Sequence, residues 1–278
     1  MSIGTVTGFV AGLALFLSAI VMATDDYMIF WSGTSVVMVI GGTLANAFIS
    51  YQGVYCIAAM KDIFTIYGHS KVNRNILMDE VKRVLEWADI VGKKGIVALD
   101  QHLKDHKSED HLVDYAIDIV LSGYKPHDVR ELLTNTIESA FERATLRVKV
   151  LENMAASSPA FGMIGTLVGL VIMLSQLDSN PQGIGAGLAI ALLTTLYGVL
   201  AARLVFQPAG TKVLHREELL RMRNYILLEL FVMLSEERRP RYIHDRLRSF
   251  LDPDLIHRLR SEGPAAPDAD APGAPTPA

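Results

Sequence analysis

The chain has 278 residues, of which 50% are hydrophobic and 20% charged, with a net charge of −4 at neutral pH. That balance excludes a basic nucleic-acid-binding surface. A single cysteine, Cys56, excludes an intrachain disulfide.

Gly4 to Ala23 is the first apolar run. It has no basic leader and no small-residue cleavage site before Asp25, which predicts a retained helix, not a signal peptide. Gly4, Gly8 and Gly12 form a doubled GxxxG ridge suited to close helix contact. Met28 to about Tyr51 reads as a second span, with Trp31 near its outer edge and Gly41-Gly42 at its middle.

The region from 53 to 153 reads as amphipathic helix without strand signal. Leu77, Val81, Val84, Leu85 and Ala88 recur at helical spacing, and Gly92 and Gly95 mark a break. Leu112, Tyr115, Ala116, Ile119 and Val120 resume the pattern, Gly123 to Pro126 turns, and Val129 to Leu151 is a long charged helix leading into the membrane. Two further apolar runs follow, Ala155 to Leu177 and Ile184 to Phe206, joined by the polar turn from Asp178 to Gly183. Each is long enough to cross a hydrocarbon core of roughly 30 Å at about 1.5 Å per residue. After Pro208 a helix is expected over Thr211 to Leu234, then a basic segment from Arg238 to Arg241, a short helix near 242–250, and a Pro/Ala-rich tail at 263–278 that cannot bury a core.

The fold class expected is therefore an all-α polytopic membrane protein with four transmembrane helices, divided as 1–52 (helices 1 and 2), 53–153 (cytoplasmic helical domain), 154–208 (helices 3 and 4), 209–262 (cytoplasmic C-terminal helices) and 263–278 (disordered tail). The short connections at 24–27 and 178–183 carry Asp25, Asp26 and Asp178 but no Lys or Arg. Lys61, Lys71 and Arg74 follow the second span, Arg143, Arg147 and Lys149 precede the third, and Lys212, Arg216, Arg221 and Arg223 follow the fourth. Basic residues stay inside, so both termini and the region from about 53 to 153 are expected in the cytoplasm.

The 155–208 hairpin carries the most information. Pro159, Gly162, Thr166, Gly169, Met173 and Gln176 fall on one face of the third span, and Gly187, Ala191, Thr194 and Gly198 on one face of the fourth, with Thr195 beside them. The small residues alone are explained by helix packing in lipid. Between Met154 and Ala202 the only ionisable side chains are Asp178 and Tyr197. An ion relay in a membrane normally needs a carboxylate, so a partner chain must supply one if this hairpin lines an ion path.

No enzyme, cofactor or metal constellation survives inspection. His102, His106 and His111 sit among Lys104, Asp105, Lys107, Glu109 and Asp110, which is a solvated face, and Gly183, Gly185 and Gly187 open a membrane helix instead of following a strand.

The run from Pro159 to Leu170, followed by Ala191 to Gly198 and Phe206-Gln207-Pro208, closely resembles the MotA/PomA family, the A subunits of the bacterial flagellar stator. The resemblance extends over residues 1 to 250 and includes Glu86 to Asp89 and Gly95 to Asp100. It implies a homopentamer around two copies of a MotB/PomB-type single-span B subunit that brings the ion-binding Asp. The ring is expected to push on the switch protein of the rotor. ExbB/TolQ energisers of outer-membrane transport are the alternative. Four spans with two short outer turns favour the stator.

Family position also suggests the ion. Proton-driven members typically carry Ala where this chain has Thr166, and the pair Thr194-Thr195 likewise matches the sodium-driven type. A Thr hydroxyl offers lone pairs to a partly dehydrated hard cation that an Ala methyl cannot. Sodium is the expected ion, with the proton as alternative. Where sodium-type relatives can carry an acid before the second span's Thr34-Ser35, this chain has Ser32. Pro159 and Pro208 match prolines implicated in coupling ion flow to movement, although a first-turn proline and a helix stop would also account for them. The rotor-facing charges of the family fall on Asp100 and on Gly92, where the positive charge is displaced to Lys93 and Lys94.

Overall fold

The structure, a computed structural model, describes residues 3–66, 75–105, 110–177 and 181–250. The expected disordered tail, His106 and the turn residues Asp178 to Asn180 lie outside the described residues. Among the described residues every regular element is helical, and the chain forms two compact units, Met1–Lys71 with Ser139–Glu218 and Val72–Glu138 with Leu219–Ala278. The predicted third span and the helix before it, and likewise the predicted fourth span and the helix after it, form without interruption, so the unit divisions at Ser139 and Leu219 fall inside those helices.

The first unit opens with α1 (Ile3–Ala23). A 3-10 turn follows over Tyr27–Phe30, capped by Asp26, whose carboxylate accepts the Met28 amide at 3.2 Å. The second apolar helix starts later than hydropathy suggested, at Gly33, because Ser32 accepts the Ser35 amide at 3.3 Å and so fixes the N-terminus. It runs as α2 (Gly33–Val36), a π turn (Val37–Gly41) and α3 (Gly42–Ser50), and α4 (Gly53–Ile66) follows the extended residue Tyr51. Val150, Leu151, Met154, Phe206 and Val213 pack with Ala47, Cys56 and Ala59 into this unit's core. Beside that core the buried carboxylates Asp62 and Glu217 share Arg147 (3.0 and 3.1 Å) and Arg216 (3.4 and 2.9 Å). Each buried charge thus has two opposite partners, which offsets its desolvation.

The long helix α8 (Pro126–Ser175) joins the predicted charged helix to the third span, and it begins at Pro126, a position that needs no amide donor. Pro159 consequently lies deep inside α8 instead of in a first turn. Pro208 does not stop its helix either: α9 (Pro181–Leu200), a π turn (Ala201–Phe206) and α10 (Gln207–Ser235) are continuous. The Gln207 amide donates to the Ala202 carbonyl in the wider π register. This register shift lies directly ahead of a proline that has no amide to give, and so absorbs the break.

Three described stretches, Tyr27–Ser50, Pro126–Ser175 and Ile184–Ser235, contain apolar windows long enough to cross a membrane, and Val10–Ala23 is a shorter one. Between 17% and 28% of each spanning window is buried by the chain itself, while Met22, Ile49, Val37 and Val171 lie open at 88, 85, 72 and 66%. An apolar surface of this extent is that of a membrane protein.

In the second unit α5 (Asn75–Lys94) buries Leu77, Val81, Val84 and Ala88 of the predicted face, leaves Leu85 half-buried, and adds Trp87, which the spacing did not include. Gly95, at φ +82°, ends it in the left-handed conformation that glycine adopts without cost, and its amide caps the Val91 carbonyl. Gly92, expected to share that break, stays helical. After α6 (Ile96–Asp105), Asp110 caps α7 (His111–Leu121), where Val113, Ala116, Ile117 and Ile119 face inward and Tyr115 outward. Val129, Leu133 and Ile137 of α8, Ile226 to Met233 of α10 and Ile243 of α11 (Pro240–Arg248) complete this core. Arg223 bridges the nearly buried Glu80 at 3.2 Å and the α7 cap Asp110, and Arg130 pairs with Glu229 at 2.5 Å.

Candidate functional site

The site is a seam between α8 and α9 built on small residues. A Cβ placed on Gly162 would lie 2.9 Å from the Thr194 carbonyl, one on Gly169 2.6 Å from the Ala191 nitrogen, one on Gly187 2.7 Å from the Met173 nitrogen, and one on Gly198 2.7 Å from the Ser158 carbonyl. Backbone therefore rests on backbone along the seam, the contact that holds helices together where lipid removes the hydrophobic drive. Gly187, Ala191, Thr194 and Gly198 are all buried, as their spacing predicts. Sequence spacing missed Gly165, whose Cβ would meet the Thr194 side chain at 2.5 Å, and Ser158, whose buried hydroxyl donates to the Gly198 carbonyl at 3.1 Å. Both sit one helical step beside the chosen face, close enough to belong to the same contact. On α1, by contrast, Gly8 has no neighbour within 4 Å and Gly12 only ordinary contact with Leu204, so these two positions of the predicted ridge make no close helix contact among the described residues.

Close approach brings two threonines together. Thr166 Oγ1 lies 2.6 Å from Thr195 Oγ1, 3.1 Å from the Ala191 carbonyl and 3.2 Å from the Gly162 carbonyl, and Thr195 Oγ1 lies 3.5 Å from that same Gly162 carbonyl. Four oxygens meet around two hydroxyl protons, which leaves lone pairs in surplus. Thr195 is exposed and Thr166 half-buried, so the cluster opens on the outer side of the seam. Thr194 touches it only through the Ala191 carbonyl, which its hydroxyl shares with that of Thr166. Its side chain is fully buried against Gly165 and its hydroxyl lies 3.0 and 2.9 Å from the Ile190 and Ala191 carbonyls of its own helix. Of the three predicted threonines the structure thus pairs two and packs the third.

Tyr197, read from sequence only as a neutral group, is a fastener. Its hydroxyl donates to the Phe30 carbonyl and accepts the Ser32 amide at 3.2 Å, tying α9 to the cap of α2. Phe161 packs over Gly42, where a Cβ would meet its ring at 2.3 Å. Together these hold three helices around the threonine pair.

Pro159 and Pro208 are both half-buried within continuous helix. Lys93 and Lys94 are exposed in the last turn of α5, where cations also suit the helix dipole, and Asp100 is half-buried on α6. In the second unit the Tyr225 hydroxyl donates to Glu138 at 2.5 Å and Arg221 approaches the same carboxylate at 2.7 and 2.9 Å; this pair of donors, Tyr225 first, holds Glu138 below the usual carboxylate range. Burial pushes the Cys56 thiol up, which leaves it a small apolar residue, not a nucleophile.

A family model described as the MotA/TolQ/ExbB proton channel family matches residues 104–224. The chain is 29% identical over 259 residues to chemotaxis protein PomA of Vibrio alginolyticus, covering 91% of this chain and 96% of that protein. It is 30% identical to the uncharacterised protein YtxD of Bacillus subtilis, covering 88% and 89%. The solved structure of C. jejuni MotAB superposes with a TM-score of 0.80 at 22% identity over 91% of this chain and 97% of the matched one, so the fold is shared. The matched family is described as a proton channel family, and no catalytic family is indicated. The chain belongs to the MotA/TolQ/ExbB proton channel family, on its MotA/PomA side.

Proposed function

We propose that this chain is the ion-conducting A subunit of a flagellar stator, driven by sodium, and that the Thr166/Thr195 cluster is the oxygen-lined stretch of its path. The observation that carries the reading is the cluster itself: four oxygens on the open side of a rigid glycine seam, with no carboxylate of the chain's own between Met154 and Ala202 except in the outer turn. Hydroxyl and carbonyl oxygens suit a hard cation, and the missing negative charge is supplied by a single-span B subunit seated against the open side.

In this reading the chain crosses the inner membrane four times, with α1 as the first span and 53–153 and 209–262 in the cytoplasm. Five copies surround the B subunit, as the resemblance implies. Pro159 and the π turn ahead of Pro208 are the places where the conducting helices yield. Lys93, Lys94 and Asp100 meet the rotor, where long-range charge complementarity suffices. An elementary charge crossing 100 mV releases about 2.3 kcal/mol, so several ions supply a step.

The test is complementation. Expressed with a MotB/PomB-type B subunit in a stator-less flagellated bacterium, the chain restores swimming, and replacing the B subunit's membrane Asp by Asn abolishes it. A complex that reaches the membrane without swimming but restores energised outer-membrane uptake would replace the stator reading by that of an ExbB/TolQ energiser.

A further inference from the structure

An open groove of about 470 Å³ lies in the first unit, lined by Glu152, Pro159, Arg203, Gln207 and Thr211 among others. Glu152 and Pro159 both belong to α8, and Thr166 follows Pro159 by the same seven residues. Seven residues advance a helix by two turns with a drift of about 20°, so the three positions form one stripe about 21 Å long. The stripe runs from the threonine cluster, past the internal proline, to a carboxylate. Glu152 is exposed and has no hydrogen-bond or ion-pair partner among the described residues. The cation beside it is engaged elsewhere, since Arg203 donates to Gln207 one turn along its own helix at 2.6 Å. Among the described residues Glu152 is also the only acid lining the groove.

We infer that Glu152 is the inner-mouth ligand of the ion path, receiving the cation after it leaves the Thr166/Thr195 cluster and handing it to bulk water. No bond is made or broken in this step: a carboxylate oxygen and waters replace hydroxyl and carbonyl ligands, and then water replaces the carboxylate. Gln207 and Thr211 add neutral oxygens, and Arg203 opposes retention, so the ion is released.

This rests on the stator reading, and one experiment separates the two. Rotation speed near zero load is measured against external sodium in cells carrying the full complex. Glu152→Gln is expected to lower the saturating speed at least about threefold and to leave the initial slope of speed against external sodium unchanged, because entry is untouched. Glu152→Asp is expected to restore most of it. In Glu152→Cys, reaction of the introduced thiol with an anionic sulfonate reagent is expected to raise speed and reaction with a cationic reagent to lower it; Cys56, at 2% exposure, stays out of reach. A rotating parent whose Gln variant reaches the membrane and turns at parental speed overturns the exit site alone, as does an equal response to both reagents. A parent that drives no rotation overturns the stator reading and the exit site together. A parent that rotates but is indifferent to sodium overturns the transfer from the Thr166/Thr195 cluster to Glu152 and leaves the stator reading standing with the proton as its ion.

Discussion

Thr166 and Thr195 meet oxygen to oxygen at 2.6 Å across the α8–α9 seam, while the neighbouring Thr194 turns inward and returns its hydroxyl to its own helix. The two adjacent threonine hydroxyls therefore have different partners. Thr195→Val removes an oxygen from the cluster and is expected to raise the half-saturating sodium concentration about five- to tenfold, corresponding to about 1 kcal/mol of lost coordination. Thr194→Val keeps shape and burial, and is expected to leave sodium dependence unchanged. Speed-versus-sodium curves for the two variants check this.

The glycine seam makes a structural prediction. Gly169→Ala places a methyl 2.6 Å from the Ala191 nitrogen, where nothing can rotate away, and is expected to cost about 1–3 kcal/mol by overpacking. Gly8→Ala meets open space in the chain and is expected to leave the isolated chain's stability unchanged. Thermal melting in detergent separates the two, and equal melting would show that the seam opens.

Arg223 holds the nearly buried Glu80 and the cap of α7 at once. Arg223→Met takes one of two cations from that carboxylate, Arg83 remaining at 2.6 Å, and frees the cap Asp110, with an expected loss of about 2 kcal/mol in the second unit. Adding Glu80→Gln lessens the charge left for Arg83 alone and is expected to recover part of the loss. Trp87, 3% exposed in this core, reports the transition by its emission once Trp31 is replaced by Phe.

Glu138 sets an acid dependence in the same unit. Its folded pKa is depressed by the Tyr225 hydroxyl and then by Arg221, so its contribution is present above the unfolded carboxylate range and is lost as pH falls through the folded value. Tyr225→Phe lifts the folded value. The variant is expected to trail the parent most at neutral pH and to converge on it in acid, and because Glu138 is 33% exposed the gap stays below about 1 kcal/mol. Urea unfolding followed by Trp87 emission at several pH values between neutral and acid measures it.

Much of this architecture was legible because periodicity reports burial: the α5 face and the small-residue faces of α8 and α9 sit where their spacing puts them. Three features were not. Ser32, three residues before Ser35, moved the start of the second helix, since a cap outweighs the hydropathy of Met28 to Phe30. Pro208 reads in sequence as a stop, yet a π turn ahead of it keeps the helix whole, and no periodic pattern announces a one-residue register shift. The division of labour between Thr194 and Thr195 depends on which hydroxyl crosses a contact between helices, and adjacent residues on a helix differ by about 100°.

The most direct test of the sodium path is rotation speed in a stator-less cell carrying this chain and its B subunit, with external sodium titrated at fixed pH and membrane potential. The account predicts a speed that rises and saturates with sodium, and a saturation curve displaced to higher sodium in Thr166→Ala. Steady rotation without sodium, identical in parent and variant, would contradict it and leave the Thr166/Thr195 contact a packing feature of a proton-driven motor.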